Sequence, residues 1–187
     1  MGRSPRGQRA YRRLHNSRGK NVNILLAVDD TQVVHWKSVV GSCKEAFVDF
    51  FTELSTKLGE QNVTIYLDNA PSHRKVSNFI NVRQNHIIKR FDAAYSPELN
   101  PVEGCFNVIK SFIKSQVRGS DPQNDFAAAS SEGKTLVRYR EEKLVSLVEP
   151  AINNITREHL RNFYRHVDQW ILKATNSIPF TGQPWFL

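Results

Sequence analysis

The chain has 187 residues, 40% hydrophobic and 10% aromatic, which is enough for one domain with a buried core and excludes a wholly disordered polypeptide. A formal net charge of +8 and a sequence pI of about 9.7 favour a polyanionic partner, with nucleic acid ahead of an acidic membrane surface. No apolar run approaches the ~20 residues that a membrane span needs, and the basic N-terminus lacks the apolar segment of a secretory signal.

The first predicted segment, residues 1–20, is a basic arm. It contains seven Lys or Arg residues and no acid. Two interpretations stay open: a solvated tail, or an arm that contacts phosphates, which the release of counterions would favour. The candidates for phosphate contact in this arm are Arg3, Arg6, Arg9, Arg12 and Arg13.

Two strands and a helix follow the arm. The runs VNILLAV (22–28) and QVVHWKSVV (32–40) are rich in β-branched and aliphatic residues, and the acidic pair between them predicts the turn of an antiparallel hairpin. Apolar residues at helical spacing predict a helix over 44–58, which Gly59 ends as a C′ glycine.

Short strands and helices alternate in the next part of the chain. VTIYL (63–67) and HIIKRF (86–91) are predicted strands, and a helix over 73–84 lies between them. A longer helix over 101–117 follows, with an apolar stripe at helical spacing. This order predicts a mixed α/β layer in which helices pack on a sheet.

The C-terminal part is predicted to be helical. The small-residue segment 119–135 indicates a linker, and a helix over 136–148 is expected to stop before Pro150. The domain organisation is then the basic arm, an α/β core over 21–118, the linker, and a helical extension over 136–187. A last helix begins near Thr156, and its predicted buried side carries Leu160, Phe163, Tyr164, Val167 and Ile171.

The cysteines and tryptophans have a structural explanation. Cys43 and Cys105 form no metal-ligand spacing, which favours reduced thiols buried as small hydrophobes. Trp36, Trp170 and Trp185 are expected to pack in the core rather than to stack on bases.

Two acids stand where chemistry can occur. Asp68 ends a predicted strand, and ligands of open α/β sheets gather at the carboxyl ends of strands, although an Asx turn is an equally good explanation. Glu103 is the third residue of a predicted helix with Asn100 as its N-cap and Pro101 at its first position. Taken alone, Glu103 is better explained as the acid of a capping box.

The pair of acids favours a metal site. Between Asp68 and Glu103 lie 34 residues, predicted as helix, strand and loop, which can return the chain to the same end of the sheet. Two carboxylates there could share divalent cations such as Mg²⁺, which prefers oxygen ligands. Two ions ~4 Å apart can clamp the attacking and leaving oxygens of a phosphoryl displacement.

The motifs LDNAPSH and AYSPELNPVEGCFNVIKSFIK resemble the catalytic domain of Tc/mariner-type DDE transposases, a resemblance that covers roughly residues 4–118. The family carries an Asp-Asn-Ala-x-x-His motif, then a Ser-Pro-acid-Leu-Asn-Pro-x-acid motif, commonly with 34 residues between the two acids. The matching positions are Asp68, Asn69, Ala70 and His73 in the first motif, and Ser96, Pro97, Glu98, Leu99, Asn100, Pro101 and Glu103 in the second.

The resemblance implies an RNase H-like mixed sheet flanked by helices, and metal-dependent cutting and joining of DNA with two Mg²⁺ or Mn²⁺ ions. Asp68 and Glu103 would be catalytic metal ligands, with Asn69, His73 and Asn100 in support. A satisfied helix-start histidine explains His73 equally well. Transposon-end DNA, a homodimer on paired ends and a nuclear location are expected, with no membrane and no small-molecule cofactor.

Two lysines on the last motif helix could contact the DNA backbone. Lys110 and Lys114 are one turn apart and would track phosphates, yet solvated surface residues need no function. The second explanation is the stronger one for each lysine taken alone.

One acid of the family's set is missing. By resemblance the first acid lies on a first, central strand upstream of a segment like RSPRGQRAYRRL, where this chain starts. Asp29 is better explained as a turn residue than as a substitute ligand. The sheet is therefore expected to lack its central strand, which would expose strand edges, and the chain alone is expected not to cut DNA.

Three functions stay open at this stage. The first is the catalytic fragment of a DDE transposase, and the second is a repurposed remnant that binds nucleic acid without cutting it. The third is an RNase H-like nuclease acting on RNA–DNA hybrids, which the SPELNP signature disfavours.

Overall fold

A computed structural model describes residues 6–7, 19–42, 44–68, 85–90, 97–117 and 122–176. The strands are β1 (Val22–Val28), β2 (Val33–Val40), β3 (Val63–Leu67) and β4 (His86–Arg90). The helices are α1 (Lys44–Leu58), α2 (Pro101–Val117), α3 (Pro122–Ser131), α4 (Leu136–Asn153) and α5 (Arg157–Thr175), and a single 3₁₀ turn spans Pro97–Leu99. The predicted mixed α/β class is confirmed. None of the described helices has both the length and the apolar character to cross a membrane.

The first two strands form the predicted antiparallel hairpin. The register runs from Val22 opposite Val40 to Val28 opposite Val33, with an irregularity between Ala27 and Val28. The hairpin turn is closed by the Asp29 N–H, which donates to the Gln32 carbonyl at 3.0 Å.

The other two strands form a separate parallel pair. Val63 lies opposite His86 and Leu67 opposite Arg90. The sequence predicted a mixed sheet that lacks its central strand, and the described residues form two sheets of two strands each. Among the described residues, no strand pairs with the outer edge of β1 or of β3.

Helix α1 is the common support of both sheets. Its aromatic residues Phe47, Phe50 and Phe51 are buried with Leu54, because apolar residues recur at helical spacing on one side. Both sheets pack their apolar side chains against this cluster: Leu25 and Ala27 from β1, Val34 from β2, Ile65 and Leu67 from β3, and Ile88 from β4.

A buried polar contact fixes α1 to β4. The ring of His86 faces the Gly59 carbonyl through Nε2 at 3.1 Å and the Ser55 hydroxyl through Nδ1 at 3.0 Å. Because a carbonyl can only accept, Nε2–H donates to it, and in the neutral ring Nδ1 accepts from Ser55. The polar atoms of this contact are thereby satisfied inside the core.

The opposite face of β1 packs on the C-terminal helices. Side chains alternate across a strand, so Val22, Ile24 and Leu26 point away from α1. Leu26 and Val28 pack against the cluster of Cys105, Val108, Leu160 and Phe163 from α2 and α5. A second cluster joins α2 to α4 and also packs on β1, and its buried members are Ile109, Val148, Ala151 and Ile152.

Part of the predicted linker is a helix. Residues Pro122–Ser131 form α3, and Ala129 is buried. The helix is fixed by long-range charge contacts, because Asp125 pairs with Arg140 and Lys143 of α4. Small residues alone therefore misled the linker prediction, while the domain boundaries stay a prediction.

Two further details of the helical extension differ from expectation. Helix α4 continues through Pro150 to Asn153, because the buried Ala151 and Ile152 beyond the proline pack on α2. In α5, Trp170 is buried and Ile171 is 47% exposed, so the buried side is rotated from the predicted one at its C-terminal end.

Candidate active site

Asp68 lies at the end of β3, as predicted. The preceding Leu67 is buried against α1, whereas Tyr66 points to the exposed face of the sheet. Asp68 itself is partly buried. Because β3 ends at Leu67, the carboxylate of Asp68 lies at the carboxyl end of a β-strand. Ligand sites of α/β sheets occur at this end.

Glu103 lies in the first turn of α2, whose start is capped by Asn100. The Val102 N–H donates to Asn100 Oδ1 at 3.1 Å, and the Glu103 N–H donates to the Asn100 carbonyl at 3.1 Å. The predicted N-cap is thus confirmed. Over the described ranges, no hydrogen bond engages the partly buried Glu103 carboxylate, so the predicted capping-box contact of this side chain is not formed. Capping within the described residues therefore does not occupy the carboxylate oxygens of Glu103.

Lys110 and Lys114 share a helix face with Glu103. Positions seven and eleven residues further along an α-helix lie on the same side as the first residue. Both lysines are exposed, and neither pairs with an acid in the part of the chain that the structure describes. A row of positive charge therefore runs along α2 from the candidate acid.

Gly104 permits a close contact between α2 and α5. A Cβ built on Gly104 would meet three ring atoms of Phe163, at 2.7 Å from Cδ1, 2.7 Å from Cγ and 2.9 Å from Cδ2. Only a glycine fits beneath the ring. The sequence interpretation missed this contact, although a glycine inside a helix costs stability and is a signal of close approach.

A second contact fixes α5 to the hairpin. The Tyr164 hydroxyl donates to the Val28 carbonyl at 3.2 Å. Burial, with a smaller effect from the carboxylates of Asp29 and Asp30, raises the pKa of Tyr164 to about 12. The phenol therefore stays protonated and keeps donating at any physiological pH.

Asp29 closes the hairpin turn. Its Oδ1 accepts from the Thr31 N–H at 2.7 Å, the Thr31 hydroxyl at 2.6 Å and the Gln32 N–H at 2.8 Å. Burial raises the pKa of Asp29, but these hydrogen bonds outweigh it and hold the pKa below its ordinary value. The carboxylate is thus committed to the turn, which supports the turn interpretation over a ligand role.

Cys105 is a core residue. Its thiol is buried and free, and burial raises its pKa to about 12. A buried thiol with so high a pKa is not a nucleophile at neutral pH.

Several predicted site residues lie outside the described residues. Of the five arginines proposed to contact phosphates, Arg6 is described and is exposed. The predicted helix over 73–84 also lies outside. So do the individual residues Arg3, Arg9, Arg12, Arg13, Cys43, Asn69, His73 and Trp185.

The carboxylates of Asp68 and Glu103 are the type of ligand that a hard divalent cation prefers, but the described residues offer too few such ligands for a complete site. Asp68 and Glu103 are both partly buried carboxylates, the ligand type that Mg²⁺ prefers. Across the described ranges, no group of three or more His, Cys, Asp or Glu side chains is close enough to hold a metal ion. The convergence of the two acids stays a prediction.

The sequence model of the DDE superfamily endonucleases matches residues 1–123 of the 187. The chain therefore belongs to the DDE superfamily endonucleases. Membership implies DNA as the substrate and a transposase-like nuclease function, and enzymes of this superfamily generally use divalent metal ions. No curated protein and no solved structure matches the chain significantly. Helices α4 and α5 lie beyond the matched segment.

Proposed function

We propose that the chain is the catalytic part of a Tc/mariner-type DNA transposase, which cuts DNA strands at transposon ends and joins them to a target. Family membership supports the endonuclease class. The observation that carries the finer proposal is the pair of motifs around Asp68 and Glu103, one acid at a strand end and the other in the first turn of α2. Action on paired DNA ends favours a homodimer and a nuclear location.

Asp68 and Glu103 would hold the divalent ions of this site. The Glu103 oxygens are not occupied by capping, since Asn100 supplies the cap. When bound, Mg²⁺ or Mn²⁺ would activate the attacking hydroxyl and stabilise the charge that develops on the phosphate. The chain's own residues would position the ions, and Lys110 and Lys114 would hold the DNA backbone alongside.

The site needs a third acid on a further strand. The outer edges of β1 and β3 carry no partner among the described residues, and both sheets pack on α1. A strand placed between β1 and β3 would join the two sheets into one mixed, RNase H-like sheet and bring an acid next to Asp68. We therefore expect the 187-residue chain alone to bind a metal weakly and not to cut DNA.

A metal titration tests the two proposed ligands. Mn²⁺ binding to the purified chain is followed by electron paramagnetic resonance, in the parent and in Asp68→Asn and Glu103→Gln. Each variant should weaken binding by more than about 10-fold, since even indirect partners of a metal site contribute that much. Glu45→Gln is the matched control, because this exposed acid also lies in the first turn of a helix but belongs to neither motif, and it should leave binding unchanged. Equal affinity in all four proteins would reject the site.

A nicking assay tests the incomplete site. Supercoiled plasmid is incubated with the chain and Mg²⁺ or Mn²⁺, and the expected result is no nicking above background. Metal-dependent nicking that disappears in Asp68→Asn would show that the chain already holds a complete set of ligands.

A second candidate function is nucleic-acid binding without cutting. The net charge of +8 and the two exposed lysines on α2 favour it. Binding that is equally tight with a metal ion and with a chelator, together with no metal site, would support this function. No measurable affinity for DNA at low salt would remove it.

A further inference from the structure

We propose that α5 is a positioning element of the candidate active site, in which Phe163 holds Glu103 in place by packing on Gly104. This inference rests on the proposed function, because it assigns to a helix outside the family-matched segment a part in placing one of the proposed metal ligands. Phe163 touches no reacting atom and would act through the backbone of α2.

The contact leaves the first turn of α2 little freedom. The Phe163 ring lies so close to Gly104 that no methyl group fits between them. The ring cannot retreat easily, because Phe163 is 6% exposed and packs in one cluster with Leu160 and Cys105. The ring also stacks on His159, with ring centroids 6.1 Å apart and planes 10° from parallel.

Hydrogen bonds hold helix α5 in place before Phe163 in sequence and directly after it. Its N-terminus is capped by Thr156, whose hydroxyl accepts from the His159 N–H at 3.1 Å. Next to Phe163, the hydroxyl of Tyr164 is bonded to the Val28 carbonyl. The helix therefore ties the first turn of α2 to the end of β1.

Placement of Glu103 depends on this contact because the glutamate is the residue before Gly104. A shift of the helix start by a fraction of an ångström moves the carboxylate by at least as much, and metal sites tolerate little misplacement of their ligands.

The test compares two truncations on the same helix. Phe163→Leu removes the ring from Gly104. Val167→Ala is the control, because Val167 is a buried α5 residue one turn further along that is not a member of the Phe163 cluster. Mn²⁺ affinity of the full chain is measured in both, with the folded fraction checked by circular dichroism. Each substitution is also made in a Glu103→Gln background.

The expected result is about a 10-fold loss of Mn²⁺ affinity in Phe163→Leu and none in Val167→Ala. Because Phe163 acts through Glu103, its effect should vanish in the Glu103→Gln background. Gly104→Ala should also weaken binding, and Gly104→Ala with Phe163→Leu should recover it, since leucine leaves room for the added methyl group.

Two results would overturn the inference, and they are distinguishable. In the first result, the parent binds Mn²⁺ through Asp68 and Glu103, but Phe163→Leu has the same Mn²⁺ affinity as Val167→Ala, or Phe163→Leu still lowers the affinity in the Glu103→Gln background. The positioning role of Phe163 then fails, while the proposed function stands. If Mn²⁺ binding by the parent is unaffected by Asp68→Asn and Glu103→Gln, the proposed function fails and the inference with it.

Discussion

Asn100 accepts a hydrogen bond from the Val102 N–H at 3.1 Å and so caps helix α2. Replacing it by alanine removes the only side-chain acceptor described at this helix start. We expect Asn100→Ala to lower the free energy of unfolding by about 1 kcal/mol. Asn100→Asp keeps an acceptor oxygen and adds a charge that the helix dipole favours, so it should retain the parental stability.

Urea denaturation followed by circular dichroism measures both variants. An alanine variant as stable as the parent would show that solvent replaces the cap without cost. In that case the start of α2 would be held by packing rather than by its hydrogen bonds.

Gly104→Ala should be destabilising, against the usual trend in helices. Alanine for glycine inside a helix ordinarily gains about 1 kcal/mol. Here the new methyl group would lie 2.7 Å from the Phe163 ring, and overpacking a buried contact costs about 1–3 kcal/mol. We therefore expect a net loss of about 1 kcal/mol in the free energy of unfolding, measured in urea.

The matched control for this glycine is Ser111→Ala, at an exposed position of the same helix. It should leave stability unchanged or slightly raised, because only helix propensity changes there. A stabilised Gly104→Ala variant would mean that Phe163 does not rest on the glycine in solution.

Local signals in the sequence predicted most of the elements. Helices α1 and α2 have the predicted bounds, 44–58 and 101–117. Their ends and faces are set by caps, a C′ glycine and apolar spacing, which depend only on residues close together in sequence. The hairpin was predicted for the same reason, since turn chemistry and β-branched runs are local. Asp68 and Glu103 consequently lie on the predicted elements.

Features that depend on distant contacts were not predictable. Helix α4 passes through Pro150 because residues beyond it pack on α2, and α3 is fixed by charges from α4. Which strands pair with one another also depends on segments far apart in sequence, and no local pattern of residues specifies it. The distance between the carboxylates of Asp68 and Glu103 likewise depends on contacts between segments far apart in sequence. The prediction that the two acids approach each other therefore rests only on the spacing of the two motifs.

Lys110 and Lys114 provide a test of DNA binding by α2. Each phosphate contact removed should lower the salt dependence of binding by about one unit of slope. The double variant Lys110→Gln/Lys114→Gln should therefore bind duplex DNA more weakly at low salt, with a slope lower by about two. Fluorescence anisotropy over a salt series measures both quantities.

A control of equal charge is available at the start of α4, where Lys134 precedes the helix and Arg138 lies in its first turn. Lys134 and Arg138 are both paired with Glu142, at 2.5 Å and 2.9 Å. Changing these two residues to glutamine removes the same charge from cations that already have partners, and should leave the slope unchanged. Equal losses in the two double variants would mean that net charge, rather than a contact surface on α2, governs binding.

Asp125 connects α3 to α4 and gives stability a pH dependence. Its carboxylate is 12% exposed and pairs with Lys143 at 2.8 Å and Arg140 at 3.3 Å. Burial raises its pKa, but the two cations outweigh burial and hold the pKa below the ordinary value. A lowered pKa in the folded chain stabilises it above the unfolded pKa of about 3.9, and this stability is lost as the pH falls through the folded value.

Asp125→Asn should consequently lower the free energy of unfolding by about 1–2 kcal/mol at pH 7. The gap between variant and parent should stay constant down to about pH 5 and shrink below about pH 4, where the parental carboxylate protonates. Urea denaturation at pH 7, 5 and 3.5 measures the gap, with Glu142→Gln as a control in an exposed ion pair that should change little. An unchanged gap at pH 3.5, or none at pH 7, would show that the charges of Asp125, Lys143 and Arg140 do not hold α3 against α4.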